Sequence, residues 1–306
     1  MTLSRSAFSQ IVAAILFVTA CRDTQPKQSP DSIRAATQSP AVTGLVPGSG
    51  WDTTAGPFMV IPARDSTDAA LILPGLTDSS LASTAHFELS ALKNTPMDLF
   101  NLQGLIGGAT LNVVSQSADP SGCPTWPRGQ LTSAIPGGWK VGLEKGRATG
   151  IQLRSLEAMQ GQDSARLIGE VLNIATHLTD GGSAFRGIPF SVRKAYRLES
   201  PTLSVIIAEI VRRINEEANP REERLLLLGE RPTGESSYYL AFRTRSAGAE
   251  ESLETSDVLA GFTLTKSGRQ AIAVAFDYEE GGKVGLLERI SGKEWKLVWK
   301  SAYSGC

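Results

Sequence analysis

Along residues 51–156 short apolar runs alternate with clusters of Gly, Pro, Asp and Ser. Phe58–Pro62, Ala69–Leu73, His86–Leu89, Ala109–Val114, Trp139–Leu143 and Ile151–Leu153 are strand-sized. Trp139, Val141 and Leu143 alternate with Lys140, Gly142 and Glu144, the period of a half-buried strand. Gly pairs at 107–108 and 137–138 suit turns that need positive φ. The pattern predicts an antiparallel sandwich or small barrel for this half. From 157 the period changes. Leu167, Val171, Leu172, Ile174, Ala175 and Leu178 recur at helical spacing, with Asp163 or Ser164 as a start and Asp180-Gly181-Gly182 as a stop. One main helix is expected near 163–179, its apolar stripe against a sheet.

From Arg186 onward the chain reads as a β-meander. Its strand candidates are Phe190–Leu198, Arg224–Gly229, Tyr238–Thr244, Val258–Leu264, Ala271–Phe276, Lys283–Glu288 and Trp295–Trp299, with a hairpin turn at Glu280-Gly281-Gly282. Residues 203–217 admit two readings. Leu203, Ile206, Ile207, Ile210, Val211 and Ile214 form one stripe on a helical wheel. Yet Val205–Ile214 is dominated by β-branched residues, and its neighbours are strands that need a partner. Strand is the narrower expectation. The fold class that results is β-rich α+β, built from antiparallel sheets, with 51–156 as one β-rich domain or half-domain and 157–306 as helix plus meander.

The first fifty residues do not fit either half. Arg5 precedes a mainly apolar run, Ala7–Ala20, too short to cross a bilayer as a permanent helix. The run ends in Val18-Thr19-Ala20-Cys21, which resembles the lipobox of bacterial lipoprotein precursors. The resemblance implies that 1–20 are removed as a signal peptide and that Cys21 carries the lipid, so the membrane is a partner through that lipid. Residue 22 is Arg; by analogy with enteric-type lipoproteins, the absence of Asp there implies outer-membrane placement, facing the periplasm or the cell surface. Residues 22–50 contain Pro26, Pro30, Pro40 and Pro47 among Ser, Thr, Gln and Gly, and read as a disordered tether spanning on the order of 30 Å.

Composition narrows the function classes. Among 306 residues, 30 Lys+Arg face 31 Asp+Glu, a formal charge of −1 that argues against a nucleic-acid partner. Two His and three Cys are too few for dense metal centres, and no cofactor fingerprint is present. With Cys21 lipidated, Cys123 and Cys306 form an even pair in an exported protein, which favours a disulfide.

Catalytic patterns are sparse. Ser-x-x-Lys occurs at Ser90–Lys93 and Ser191–Lys194, and Lys266-Ser267-Gly268 is similar to an element of penicillin-recognising enzymes. Asn94-Thr95-Pro96 cuts short any helix after the first copy, and the second lies in a strand pattern. His86 and His177 have no nucleophile elbow to serve, so no catalytic residue is assigned. The densest ionic region surrounds Glu209, Arg212, Arg213, Glu216, Glu217 and Arg221–Arg224. It reads first as a salt-bridge network at a hairpin end. Its functional alternative is a polar cleft in which Glu209, Arg212 and Glu216 bind or hydrolyse a glycan, since glycosidic chemistry requires paired carboxylates. Trp126, between Pro124 and Pro127 in a loop near Cys123, is a candidate sugar or protein contact. Trp295 and Trp299 are expected on one face of a strand, in the core. Residues 271–299 resemble a single hairpin of the FG-GAP propeller family; Thr265-Lys266-Ser267-Gly268 stands where that family has its acidic calcium loop, so calcium is not implied.

The expectation for function is a lipid-anchored envelope protein, a non-enzymatic binding or structural module for another envelope protein or a glycan. The alternative is a cell-wall or polysaccharide hydrolase using Glu residues in 209–224. An accessory subunit of an assembly machine is a third.

Overall fold

A computed structural model describes residues 50–82, 89–115, 122–178, 183–215, 220–278 and 281–306. The expected signal peptide, Cys21, the tether through residue 49, His86 and Glu216 lie outside the described residues.

Six strands come first: β1 (Met59–Pro62), β2 (Asp68–Ile72), β3 (Thr95–Asn101), β4 (Gly104–Ser115), β5 (Arg128–Thr132) and β6 (Val141–Glu144). They close into an antiparallel barrel in the order β1-β2-β5-β4-β3-β6, with β6 returning to β1 through Met59↔Leu143. Alternation decides which side chains go in. Val60, Leu71, Leu99, Leu111 and Leu131 fill the interior with Trp139, while Met59, Ile72, Phe100, Val141 and Leu143 point out to a second cluster. Gly142 faces the interior, where a Cβ would lie 2.6 Å from Val60 and 3.0 Å from Leu99.

The chain then passes through β7 (Ala148–Ile151) and β8 (Leu153–Ser155), the helix α2 (Gly161–Thr176; α1 is the short Asp78–Ala82), β9 (Ser191–Ser200), β10 (Leu203–Ile214), β11 (Arg221–Pro232) and β12 (Tyr239–Ala249). It continues through β13 (Thr255–Leu264), β14 (Gln270–Tyr278), β15 (Gly281–Ser291), β16 (Glu294–Lys300) and β17 (Ser304–Gly305). One sheet has the order β12-β11-β10-β9-β8; the other is β16-β15-β14-β13-β7, with β17 paired to β15. The short run β7–β8 therefore supplies an edge to each sheet.

Four layers result. The outer face of the barrel packs on Phe262, Ala271, Ala273 and Leu286 of the second sheet. The far side of that sheet, with Ile272, Val274, Phe276 and Leu287, meets Val205, Ile207, Leu226 and Leu228 of the first. The first sheet's other face, with Ile206, Ala208, Ile210, Leu225 and Leu227, receives Leu167, Val171 and Ile174 of α2. Each such buried Val, Leu, Ile or Phe side chain contributes about 1.5–3 kcal/mol of transfer free energy. Both sheets are thus apolar on both faces. This explains the ambiguity of 203–217: β10 is a strand whose odd and even residues are both buried, so its sequence is a continuous apolar run that also satisfies a helical stripe.

Several expectations need correction. Gly107 and Gly108 lie inside β4, not in a turn; a Cβ on Gly107 would come within 2.9 Å of Pro136. Trp295 and Trp299 face opposite sides of the second sheet, because an extra residue in β16 between Leu297 and Trp299 reverses the alternation. The main helix, by contrast, is where it was expected, Gly161–Thr176 with His177 as its C-cap. Strands β3 and β5 fall where no strand-sized apolar run was visible.

Cys123 and Cys306 form a disulfide across 183 residues, with Cα atoms 5.2 Å apart. It fastens a C-terminal strap to the barrel. Gly305 N–H donates to Pro124 O (2.9 Å), Tyr303 N–H to Asp78 Oδ1 (2.7 Å), and the Trp126 indole to Ala302 O (3.2 Å). Ala302 itself joins the barrel's interior cluster. Among the described residues, no helix is long and apolar enough to cross a membrane.

Candidate ligand cavity at the buried Glu209

Glu209 lies on β10 between Ala208 and Ile210. Those two residues turn toward α2, so strand alternation sends the Glu209 side chain to the other face, toward the second sheet. There the apolar packing between the sheets gives way to a half-open cavity of about 320 Å³. Arg224 and Leu226 of β11 line it, with Thr244, Arg245 and Ser246 of β12, Ser252, Leu253 and Glu254 before β13, Ser256 of β13, and Lys300 at the end of β16. All but two of these residues are polar.

The Glu209 residue is only 2% exposed. Its Oε2 accepts the backbone N–H of Ser256, while Oε1 has no hydrogen-bond partner. Arg193 Nε stands 3.6 Å from Oε1, an ion pair across a gap longer than a hydrogen bond. Burial pushes the carboxyl above the usual range, against the pull of the Ser256 amide and of the Arg193, Lys194 and Arg224 charges.

The cations around it are bound by the protein's own acids. Glu222 is fully buried and accepts from Arg224 and, at 3.0 and 2.6 Å, from Arg213; Arg193 Nη1 lies 3.7 Å away. Burial alone would raise the Glu222 carboxyl, but the Arg224 and Arg213 hydrogen bonds outweigh it and hold the group below its ordinary value. Arg224 also donates to Leu253 O (3.1 Å). Arg245, opposite Leu225 in the ladder, pairs instead with Glu223 on the α2 face, so its charge is turned away from the cavity. Lys300 reaches Glu254 at 2.5 Å and lies 4.0 Å over the Phe276 ring. A carboxyl at the wall of a polar cavity, with one oxygen tied and the other without a hydrogen-bond partner, can accept a ligand hydrogen bond when ionised and donate one when neutral.

The remaining candidates are not gathered here. Arg212 is on the α2 face of the same sheet, paired with Glu223 and packed over the rings of Phe190 (4.5 Å) and Phe185 (5.7 Å). It and Glu209 therefore point away from each other. His177 is an exposed helix cap on that side too. Trp126 is half-buried at the barrel, packed against two core clusters. Ser191 donates to Val211 O, and Lys194 pairs with Asp257 at 3.2 Å. Glu254, Ser256 and Lys300 went unrecognised: each is an isolated polar residue at a strand end, where the local pattern carries no signal. Among the described residues, no group of three or more His, Cys, Asp or Glu is placed to hold a metal ion. No protein-family model, no curated protein and no solved structure matches this chain.

Proposed function

We propose that the chain is an exported, lipid-anchored protein of the bacterial cell envelope, and that its folded part is a binding module rather than an enzyme. The observation that carries the reading is the Cys123–Cys306 disulfide. Such a bond belongs to an oxidising compartment, and it leaves Cys21, in its lipobox-like setting, as the one remaining thiol of three. The tether of residues 22–50 gives the folded layers room to work beside the lipid surface, on its periplasmic or external side. The cavity at Glu209 supplies the module with a place for a small polar ligand. Intact-mass analysis of the membrane-extracted protein tests the anchor: the expected product begins at a diacylated or triacylated Cys21. An unmodified N-terminus on protein found wholly in the detergent-free supernatant overturns it.

One observation favours hydrolysis of a cell-wall polysaccharide instead. Glu209 is pushed up while Glu222 is held down, the divided pair that acid–base chemistry uses. Against it, the Glu222 carboxylate is enclosed by three arginines and does not line the cavity. Zymography on purified cell wall decides: clearing by the wild type that is lost in Glu209→Gln establishes the hydrolase.

A further inference from the structure

We infer that the Glu209 cavity binds a neutral, polyhydroxylated ligand, a single sugar unit of a glycan, through hydrogen bonds to Glu209 Oε1 and to the hydroxyls of β12 and β13. The inference rests on the binding-module reading and gives that module its ligand class.

Charge selects among ligands. With Glu209 ionised, Glu209 and Glu254 balance Arg224 and Lys300 at the wall, so no net charge draws in a cation, which would also meet Arg224 and Lys300. An anion would find Arg224 and Lys300 already holding Glu222 and Glu254, and would meet the Glu209 carboxylate as well. A neutral ligand avoids both conflicts. Satisfaction of buried polar atoms points the same way. Glu209 Oε1 is buried without a hydrogen-bond partner, its burial offset only by the Arg193 charge 3.6 Å away, so a donor that reaches it lowers the cost. A sugar hydroxyl is such a donor, and its bond to a carboxylate is charge-assisted.

The rest of the wall suits the same chemistry. Thr244, Ser246 and Ser256 carry hydroxyls that both donate and accept, as the hydroxyls of a pyranose do, while the Ser252 hydroxyl donates to Ala249 O (2.9 Å) and is left as an acceptor. Leu226 and Leu253 are the two apolar lining residues, available to the C–H face of a ring. A volume of about 320 Å³ is at the small end for ligand sites, fitting one sugar unit with the half-open mouth leaving a chain's next unit outside.

The test is saturation-transfer NMR on the membrane-extracted chain in phospholipid nanodiscs. Glucose, galactose, mannose and N-acetylglucosamine are the neutral probes; glucosamine and glucuronic acid are their charged counterparts. At least one neutral sugar is expected to show transfer to its ring protons at millimolar concentration, with charged counterparts at least tenfold weaker. Glu209→Gln should weaken binding about tenfold. Ser246→Trp, which fills the cavity from the edge strand and leaves Glu209 untouched, should abolish it, with circular dichroism confirming that both variants fold. The proposal is overturned if no neutral sugar binds, if a charged counterpart binds as well or better, or if either folded variant binds like the wild type. Sugar binding by a chain that proves unlipidated would leave this inference standing and remove the envelope assignment, so the two fail separately.

Discussion

At the scale of single residues, the buried acids divide into those the fold has satisfied and one it has not. Glu230 is fully buried and accepts from Arg289 (3.0 and 2.7 Å), the Lys293 amide (3.0 Å) and the Trp295 indole (2.9 Å). Burial would raise its carboxyl, but Arg289 and Trp295 prevail and lower it. A lowered folded value means stability that is present above the unfolded value and lost as pH falls through the folded one. Glu230→Ala should cost about 3–5 kcal/mol in urea unfolding at pH 7, because the arginine and indole lose their acceptor. The loss should shrink in acid. Glu209 has the opposite sign. Its raised value means the native state holds the proton more tightly, so stability falls as pH rises from the ordinary carboxylate range through the folded value. Glu209→Gln should therefore melt a few degrees higher than wild type at pH 8 and about equally at pH 4. Stabilisation on neutralising a buried carboxyl fits a group kept for function at a cost in stability.

At the scale of elements, α2 carries an avoidable weakness. Gly169 lies mid-helix, exposed, and a Cβ there would meet nothing within 4 Å. Gly169→Ala should raise stability by about 1 kcal/mol, read as a shift in the denaturation midpoint at constant slope. The elements also show what a linear pattern can and cannot convey. The helix and the C-terminal strands were legible because their apolar periods are strong. Strand β3 was not, since Thr95-Pro96-Met97-Asp98 alternates weakly, and β5, Arg-Gly-Gln-Leu-Thr, has one large apolar residue; both exist because barrel closure supplies partners on each side. The faces of Trp295 and Trp299 were misjudged because a bulge changes parity without changing composition. For the cavity, Glu209 was legible as a charge within an apolar strand. Its companions were not, since β12, β13 and β16 bring Ser246, Ser256 and Lys300 together only through sheet pairing and stacking.

At the scale of the whole molecule, the disulfide joins the loop before β5 to the strap after β16. Closing 183 residues in the unfolded chain is worth up to about 5 kcal/mol by chain entropy. Cys306→Ser should lower the midpoint by a substantial part of that amount, and reductant should destabilise the wild type but not the variant. The four layers share cores pairwise, so this loss should appear as one transition rather than as release of the barrel alone. Near-ultraviolet and far-ultraviolet signals should coincide through the melt.

Ala302 adds a constraint of order in time. Part of the barrel's filling arrives from a segment translated some 160 residues after its sixth strand closes the ring in sequence. During synthesis the N-terminal strands precede that segment, so the barrel's cluster is complete only once the C-terminal strap has been made. A fragment that stops before Ala302 lacks both that contact and the Cys306 bridge, and should be cleaved faster than the full chain in limited proteolysis.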